Sequence, residues 1–414
     1  MNWIKKIIGV KPSRDEFADI AKMALQKYSN AEDIIYDQEN YSLSARVAED
    51  LVNPVYFLGN AFEEYCLAPR AAKESVLQTF FGSHMLVKIP SLQNEALPNL
   101  LPRVQPRSYF EESALQAKAG DFKLSADKTW DLPFAIFAEH FGETLIFDTP
   151  TAVLQVDKDK LAEWNVQLES TLHQAMQNLN KITPEPFQEV APGLYVSQYQ
   201  DSHDASRLLL LERIKECKVQ GRPVAMIPNR NILIVTGESD HANHSLMLNI
   251  VEEAQKQPRP MPAFPVVLSE RTWHLWQPGQ NHSEKQRFDY FSALSMLDIY
   301  NTQKSLLDKI HEKEKIDLFT ANYIVYQKKE TGDICSATAW TEGVHAFLPV
   351  VDKVSFVRVE EEEDDSGVLA TAPWDAVQKI LGSSMRPLGT YPERYEVESF
   401  PNELQLAELK KYSE

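Results

Sequence analysis

The sequence predicts an α+β protein of repeated strand-hairpin plus helix units, with a C-terminal ββαββα sheet covered by helices on one face. Three observations predict it. Segments with an apolar period near 3.6 residues alternate with short runs of period two, the patterns of amphipathic helices and half-buried strands. Polar turn chemistry joins neighbouring runs into hairpins, as Asp37-Gln38-Glu39-Asn40 does between 33–36 and 41–45. The C-terminal part repeats itself: Ala337-Thr338-Ala339-Trp340 matches Ala370-Thr371-Ala372-Pro373-Trp374, and Val344 and Leu348 match Val377 and Leu381. Each copy reads as a hairpin followed by a helix, giving four strands and two helices.

At 414 residues the chain exceeds one ordinary core. Four units are expected: an αββα domain over 1–90, a central α+β domain over 91–260, a Pro-rich linker and bridging helix over 261–315, and the ββα repeats over 316–414. Phe17, Ile20, Ala21, Ala24 and Leu25 mark the first helix. A second runs through Val55, Leu58, Phe62 and Tyr65, and a third spans 71–81. In LLPRVQPRSYF, Pro102 and Pro106 favour extended backbone. Strands follow at 134–137 and 144–147, then a helical stretch over 157–182 broken near Asn165. The next unit reads helix 205–219, strand 223–227, strand 232–236 and helix 242–255. KQPRPMPAFP marks a boundary before a long helix over 284–314.

Net charge is −18, which opposes a phosphate backbone, and no basic run offsets it, so no nucleic-acid partner is expected. Cys66, Cys217 and Cys335 are odd in number and far apart, which fits buried reduced thiols in a cytoplasmic protein. MNWIKKIIGVKP is too short and too interrupted by lysines for a signal peptide, and no apolar run reaches transmembrane length. The run from Glu360 to Asp365 lacks the spaced oxygen ligands of a calcium loop and reads as a solvated hairpin tip.

Three groups carry candidate chemistry. In the first, Asp201, Asp204, Ser206 and Arg207 open a helix while Asn229 and Arg230 sit in the turn between two strands. Caps and turns explain such residues, yet a helix N-terminus flanked by forked guanidinium donors also suits an anion. The second is Arg103 and Arg107 beside Tyr109, on the extended Pro-rich segment, where they either bridge acidic loops or complete a basic pocket with Arg207 and Arg230. In the third, His241 and His244 have helical spacing behind Asp240, but no further His or Cys nearby supplies the rest of a metal shell. No metal and no cofactor is expected. Gly-rich phosphate loops, HExxH, CxxC and G-x-S-x-G elbows are absent.

By LLPRVQPRSYF, Asn178-Leu179, DSHDASRLLL and VAMIPNRNILIV, the chain resembles the YtpQ-like family of uncharacterised bacterial proteins, classed as domain of unknown function 1444. The likeness covers residues 15–260, with the C-terminal repeats as an extension. Where the family pattern reads DGYDASR, this chain has Ser202-His203 in place of Gly-Tyr. The resemblance implies a shared fold and no mechanism.

The leading functional reading is a cytosolic binding or interaction protein without evident catalytic machinery, engaging a protein partner. The alternative is an enzyme or receptor for a small anionic ligand, with Arg103, Arg107, Arg207 and Arg230 as clamps. In it Asp201 or Asp204 is the base and Ser206 a donor, because no histidine partner makes the serine a nucleophile.

Overall fold

The computed structural model describes residues 11–29, 31–38, 41–46, 55–82, 87–120, 132–149, 153–197, 199–358 and 367–413. Among them helices and mainly antiparallel sheets form an α+β protein. The start of the chain and the acidic run from Glu360 to Asp365 lie outside the described residues. No described helix is long and apolar enough to cross a membrane.

The N-terminal unit packs helix α1 (Arg14–Ser29) on strands β1 (Glu32–Asp37) and β2 (Ser42–Arg46) of a sheet completed by β3 (Val55–Phe57). Ser13 and Glu16 hold the start of α1 by reciprocal backbone-to-side-chain bonds, a capping box. Phe17, Ala18, Ala21, Ala24 and Leu25 are buried, as the helical period requires. Strand β3 takes residues that the apolar spacing assigns to a helix, and that helix, α2 (Gly59–Leu67), starts after it. Helix α3 (Lys73–Phe81) closes the unit.

A short helix, α4 (Gln93–Ala96), leads to β4 (Leu100–Pro106), in which every residue but the last is buried. Helix α5 (Arg107–Ala119) begins directly after Pro106, so Arg107 is helical and not on an extended segment. Proline fits this junction because a first-turn N–H has no helical partner to lose. Strands β5 (Ala135–Phe137), β6 (Phe141–Asp148) and β7 (Val153–Gln155) complete a sheet centred on β6, with β4 along one edge and β5 and β7 along the other. Helices α6 (Lys158–Trp164) and α7 (Leu168–Lys181) are separated at Asn165, whose φ of 54° ends the first. Helix α7 packs on β4.

The largest sheet has the order β13-β12-β10-β11-β9-β8. Its members are β8 (Gln188–Ala191), β9 (Leu194–Ser197), β10 (Pro223–Asn229), β11 (Ile232–Gly237), β12 (Val266–Ser269) and β13 (Thr272–Leu275). The boundary expected at residue 260 is therefore corrected: β12 pairs with β10, so the chain beyond the Pro-rich segment continues the same sheet. The expected helix over 205–219 is corrected too. It consists of a 3-10 turn, Ala205–Leu209, and a short helix, α8 (Leu211–Glu216). Helix α9 (His241–Gln255) covers β10 and β11, burying Met247, Leu248 and Val251.

Helix α10 (Lys285–Glu314) packs along α5 and onto the C-terminal strands. There the two hairpins, β15 (Ile324–Gln327) with β16 (Ile334–Thr341) and β18 (Lys353–Arg358) with β19 (Gly367–Pro373), share one sheet through a parallel β16–β18 pair. Only the second copy is followed by a helix, α11 (Trp374–Leu381). In the first copy Gly343 takes φ +74° in a turn and Ala346–Pro349 is a strand. That strand joins a second sheet with Phe319–Thr320, Met385–Pro387 and Arg394–Val397. The ββαββα plan is corrected to this extent. Helix α12 (Glu403–Lys410) packs on β19.

Candidate functional site

Buried arginines are expensive unless their donors are satisfied, so their partners separate scaffold from site. Arg207 is fully buried. Its Nη2 and Nη1 meet the Asp201 carboxylate at 2.6 and 2.8 Å, and Nη1 also reaches Asp204 Oδ1 at 3.3 Å. Nε donates to Thr183 Oγ1 and Nη2 to the Ile182 carbonyl, while the guanidinium lies over the Tyr199 ring at 3.8 Å. Every donor is used. Arg207 is a structural pin and not a ligand clamp.

Its carboxylates are equally committed. Asp204 accepts from Ser197 Oγ and the Tyr199 and Gln200 amides, fastening the preceding loop rather than capping the turn it begins. Burial raises its carboxyl above the ordinary range against these donors. Burial would also raise Asp201, but Arg207 and the His203 amide bring it below the ordinary range. Neither is free to act as a base. Ser206 Oγ accepts from the Val104 amide at 3.0 Å, so the hydroxyl ties β4 to the 3-10 turn. Asn229 donates to the Ala254 and Pro258 carbonyls and accepts from the Asn231 amide, a turn lock. Arg107 lies over the Tyr391 ring at 4.4 Å and near Glu111 at 3.5 Å, apart from the others. The four-arginine clamp is corrected: Arg107 and Arg207 serve separate contacts.

Arg103 and Arg230 behave differently. Arg103 is 7% exposed, and its buried Nε has no hydrogen-bond partner. Among the described residues neither guanidinium makes a hydrogen bond or an ion pair. Burial lowers Arg103 to about 10, with Asp148 and Tyr109 favouring its charge and Arg259 opposing it. Burial, then the charges of Arg103 and Arg259, lower Arg230 to about 9. The charges of Arg103 and Arg259 thus reach Arg230, and that of Arg259 reaches Arg103.

A path of hydrogen bonds explains the convergence. The Val104 amide, next to Arg103, binds Ser206, the Ala205 amide binds the Arg230 carbonyl at 3.1 Å, and the Arg230 amide binds the Arg259 carbonyl at 3.3 Å. Arg259 lies between two prolines with φ 63°, and Gln200 and Ser202 are also left-handed, at 58° and 68°. Such strain in non-glycine residues persists only where surrounding structure enforces it. Arg259 pairs with Glu64 of α2 at 2.9 Å and donates to Ser202 Oγ. Asp148 is engaged by His203 Nε2 at 3.1 Å. Gln155 donates to the Tyr109 hydroxyl at 3.3 Å, and Gln155 Oε1 and His203 Nδ1 are buried without partners. Arg103 and Arg230 were legible as candidates. Arg259 was hidden inside a segment that reads as a boundary, its one sequence signal being an arginine between prolines.

Two other places compare poorly with this one. A polar groove of about 420 Å³ runs along α10 beside Lys304, Asp308 and Asn322, but Lys304 is satisfied by Asp308 and the Thr320 carbonyl. His241 and His244 are joined in space by His282, which corrects the expectation that no further histidine lies near them.

Chemically, the arginine cluster offers planar cationic donors in a partly desolvated site. Compared with protein-family models, with curated proteins and with solved structures, the chain gives no match.

Proposed function

We propose that the chain is a binding protein for a small oxyanion, of phosphate or carboxylate chemistry, received between Arg103, Arg230 and Arg259. One observation carries the reading: two guanidiniums, Arg103 buried and Arg230 half-buried, without a hydrogen bond or ion pair among the described residues and with Asp148 and Glu64 acting on them only at longer range, in a chain of net charge −18. The other fully buried arginines are hydrogen-bonded at every guanidinium nitrogen, Arg207 with all its donors used. Arg394 donates to Gln303 and to the carbonyls of Ala321, Phe347 and Tyr300. A bidentate oxyanion would supply what Arg103 and Arg230 lack. The reading is of ligand capture without catalysis, in a cytoplasmic setting that the three free cysteines fit. Membership of the YtpQ-like family is part of this proposal.

The test is isothermal titration of inorganic phosphate and of succinate, at fixed ionic strength with chloride as the balancing anion. Saturable 1:1 binding that is lost in Arg230→Ala supports the reading. Equal heats for the variant and the native protein overturn it.

A further inference from the structure

Three imidazoles from two segments meet beside the end of β11. His241 and His244 stand three residues apart at the start of α9, and His282 comes from the loop before α10. One nitrogen of each lies within 4.8 Å of the others. The hydrogen bonds around them define the protons. The Gly237 carbonyl only accepts, so His244 Nε2 donates to it, at 3.1 Å, and His244 Nδ1 keeps its lone pair. That lone pair faces His282 Nε2 at 2.8 Å, which therefore donates, while His282 Nδ1 accepts from the Glu284 amide at 3.1 Å.

A carbonyl behind one ring nitrogen, holding the other toward a shared point, is how proteins orient metal-binding histidines. The wall behind His244 is apolar: its ring meets Trp276 at 5.1 Å and Phe288 at 5.7 Å, and it is fully buried. Nearby carboxylates are occupied. Asp240 accepts from the Gln220 and Gly237 amides, and Glu238 pairs with Arg222.

We propose that His241, His244 and His282 form a binding site for a divalent transition-metal ion of the zinc class, with a fourth position open to water. Imidazole ligands suit such ions, and three with one open position is a recurrent zinc arrangement. Tetrahedral ligation at about 2.1 Å sets ligand nitrogens about 3.4 Å apart, so the His244 Nδ1–His282 Nε2 pair, at 2.8 Å, opens slightly to admit the ion while His241 closes on it. His241 is exposed and can turn inward. The ion takes the place of the proton between His244 Nδ1 and His282 Nε2. That proton moves to His282 Nδ1, and the Glu284 amide turns from it to water.

Untagged full-length protein, stripped with chelator, is titrated with Co²⁺ and with Zn²⁺. The expected result is 1:1 binding with the visible absorption of tetrahedral cobalt, displaced by zinc. His241→Gln and His282→Gln each weaken binding by roughly 100-fold, while metal-free melting temperatures stay close to the native value. His244→Gln is avoided because that ring is core. No saturable binding, or binding that survives in either variant, overturns the site.

Discussion

Three buried arginines of this chain sit in three electrical settings, and each predicts a different mutational outcome. Arg207 is neutralised by two aspartates, Arg394 is solvated by an amide and carbonyls, and Arg103 has neither. Removing Arg207 strands Asp201 and Asp204, so Arg207→Ala is expected to cost about 3–5 kcal/mol. Arg103→Met keeps the volume and deletes a charge whose depression to about 10 reflects roughly 3 kcal/mol of penalty. In phosphate-free buffer it is expected to be neutral or stabilising by up to about 3 kcal/mol. Urea unfolding compares the two, and a loss above about 2 kcal/mol for Arg103→Met would count against an uncompensated charge.

At the scale of elements, the DASR and PNR segments act as fasteners. Ser206→Ala leaves the Val104 amide buried and unpaired, an expected cost of about 1–3 kcal/mol, with weaker phosphate binding because β4 loses its anchor beside Arg103. Unchanged stability and affinity would remove Ser206 from the account. Gly237 lies where a Cβ would come within 2.2 Å of the Gln220 carbonyl and 2.5 Å of Asp240 Oδ2. Gly237→Ala is therefore expected to cost at least about 2 kcal/mol in the same assay.

Much of this level was legible. The periods of α1, α9 and α10 and the β10–β11 hairpin follow from spacing and turn residues. The helix expected after the first repeat was not, because a short apolar run such as 344–348 fits a strand as well as a helix. The second copy has Pro373 ahead of its first helical residue and Asp375 in the first turn, both helix-start signals, whereas the first has Gly343 in a left-handed turn. Site residues were legible by type but not by role. Asp201, Asp204 and Arg207 look like a site in sequence because buried ion pairs and binding sites use the same residues, and only their mutual hydrogen bonds separate the two.

For the whole molecule, buried titrating groups set the response to acid. Burial lowers His140 and His244 to about 4, from an ordinary value of 6.5. Between those values the unfolded chain binds protons that the folded chain refuses, so their contribution is lost as pH falls from 6.5 to 4. Glu112 acts in the opposite sense. Burial raises it to about 7, so the folded form takes up a proton first and gains stability as pH falls toward 4.5. His140→Gln should therefore flatten the decline in unfolding free energy with acid by up to about 1.4 kcal/mol per pH unit, and Glu112→Gln should steepen it by a similar amount. Slopes that move in one direction for both variants would refute these assignments.

The central claim is that Arg103, Arg230 and Arg259 surround an oxyanion. Its most direct test is a crystal of the full chain soaked in tungstate, a heavy phosphate analogue located by anomalous scattering. The account predicts an anomalous peak within hydrogen-bonding distance of the Arg103 and Arg230 guanidiniums. Tungstate bound only at the surface, with the cluster unchanged and filled by water, would contradict it.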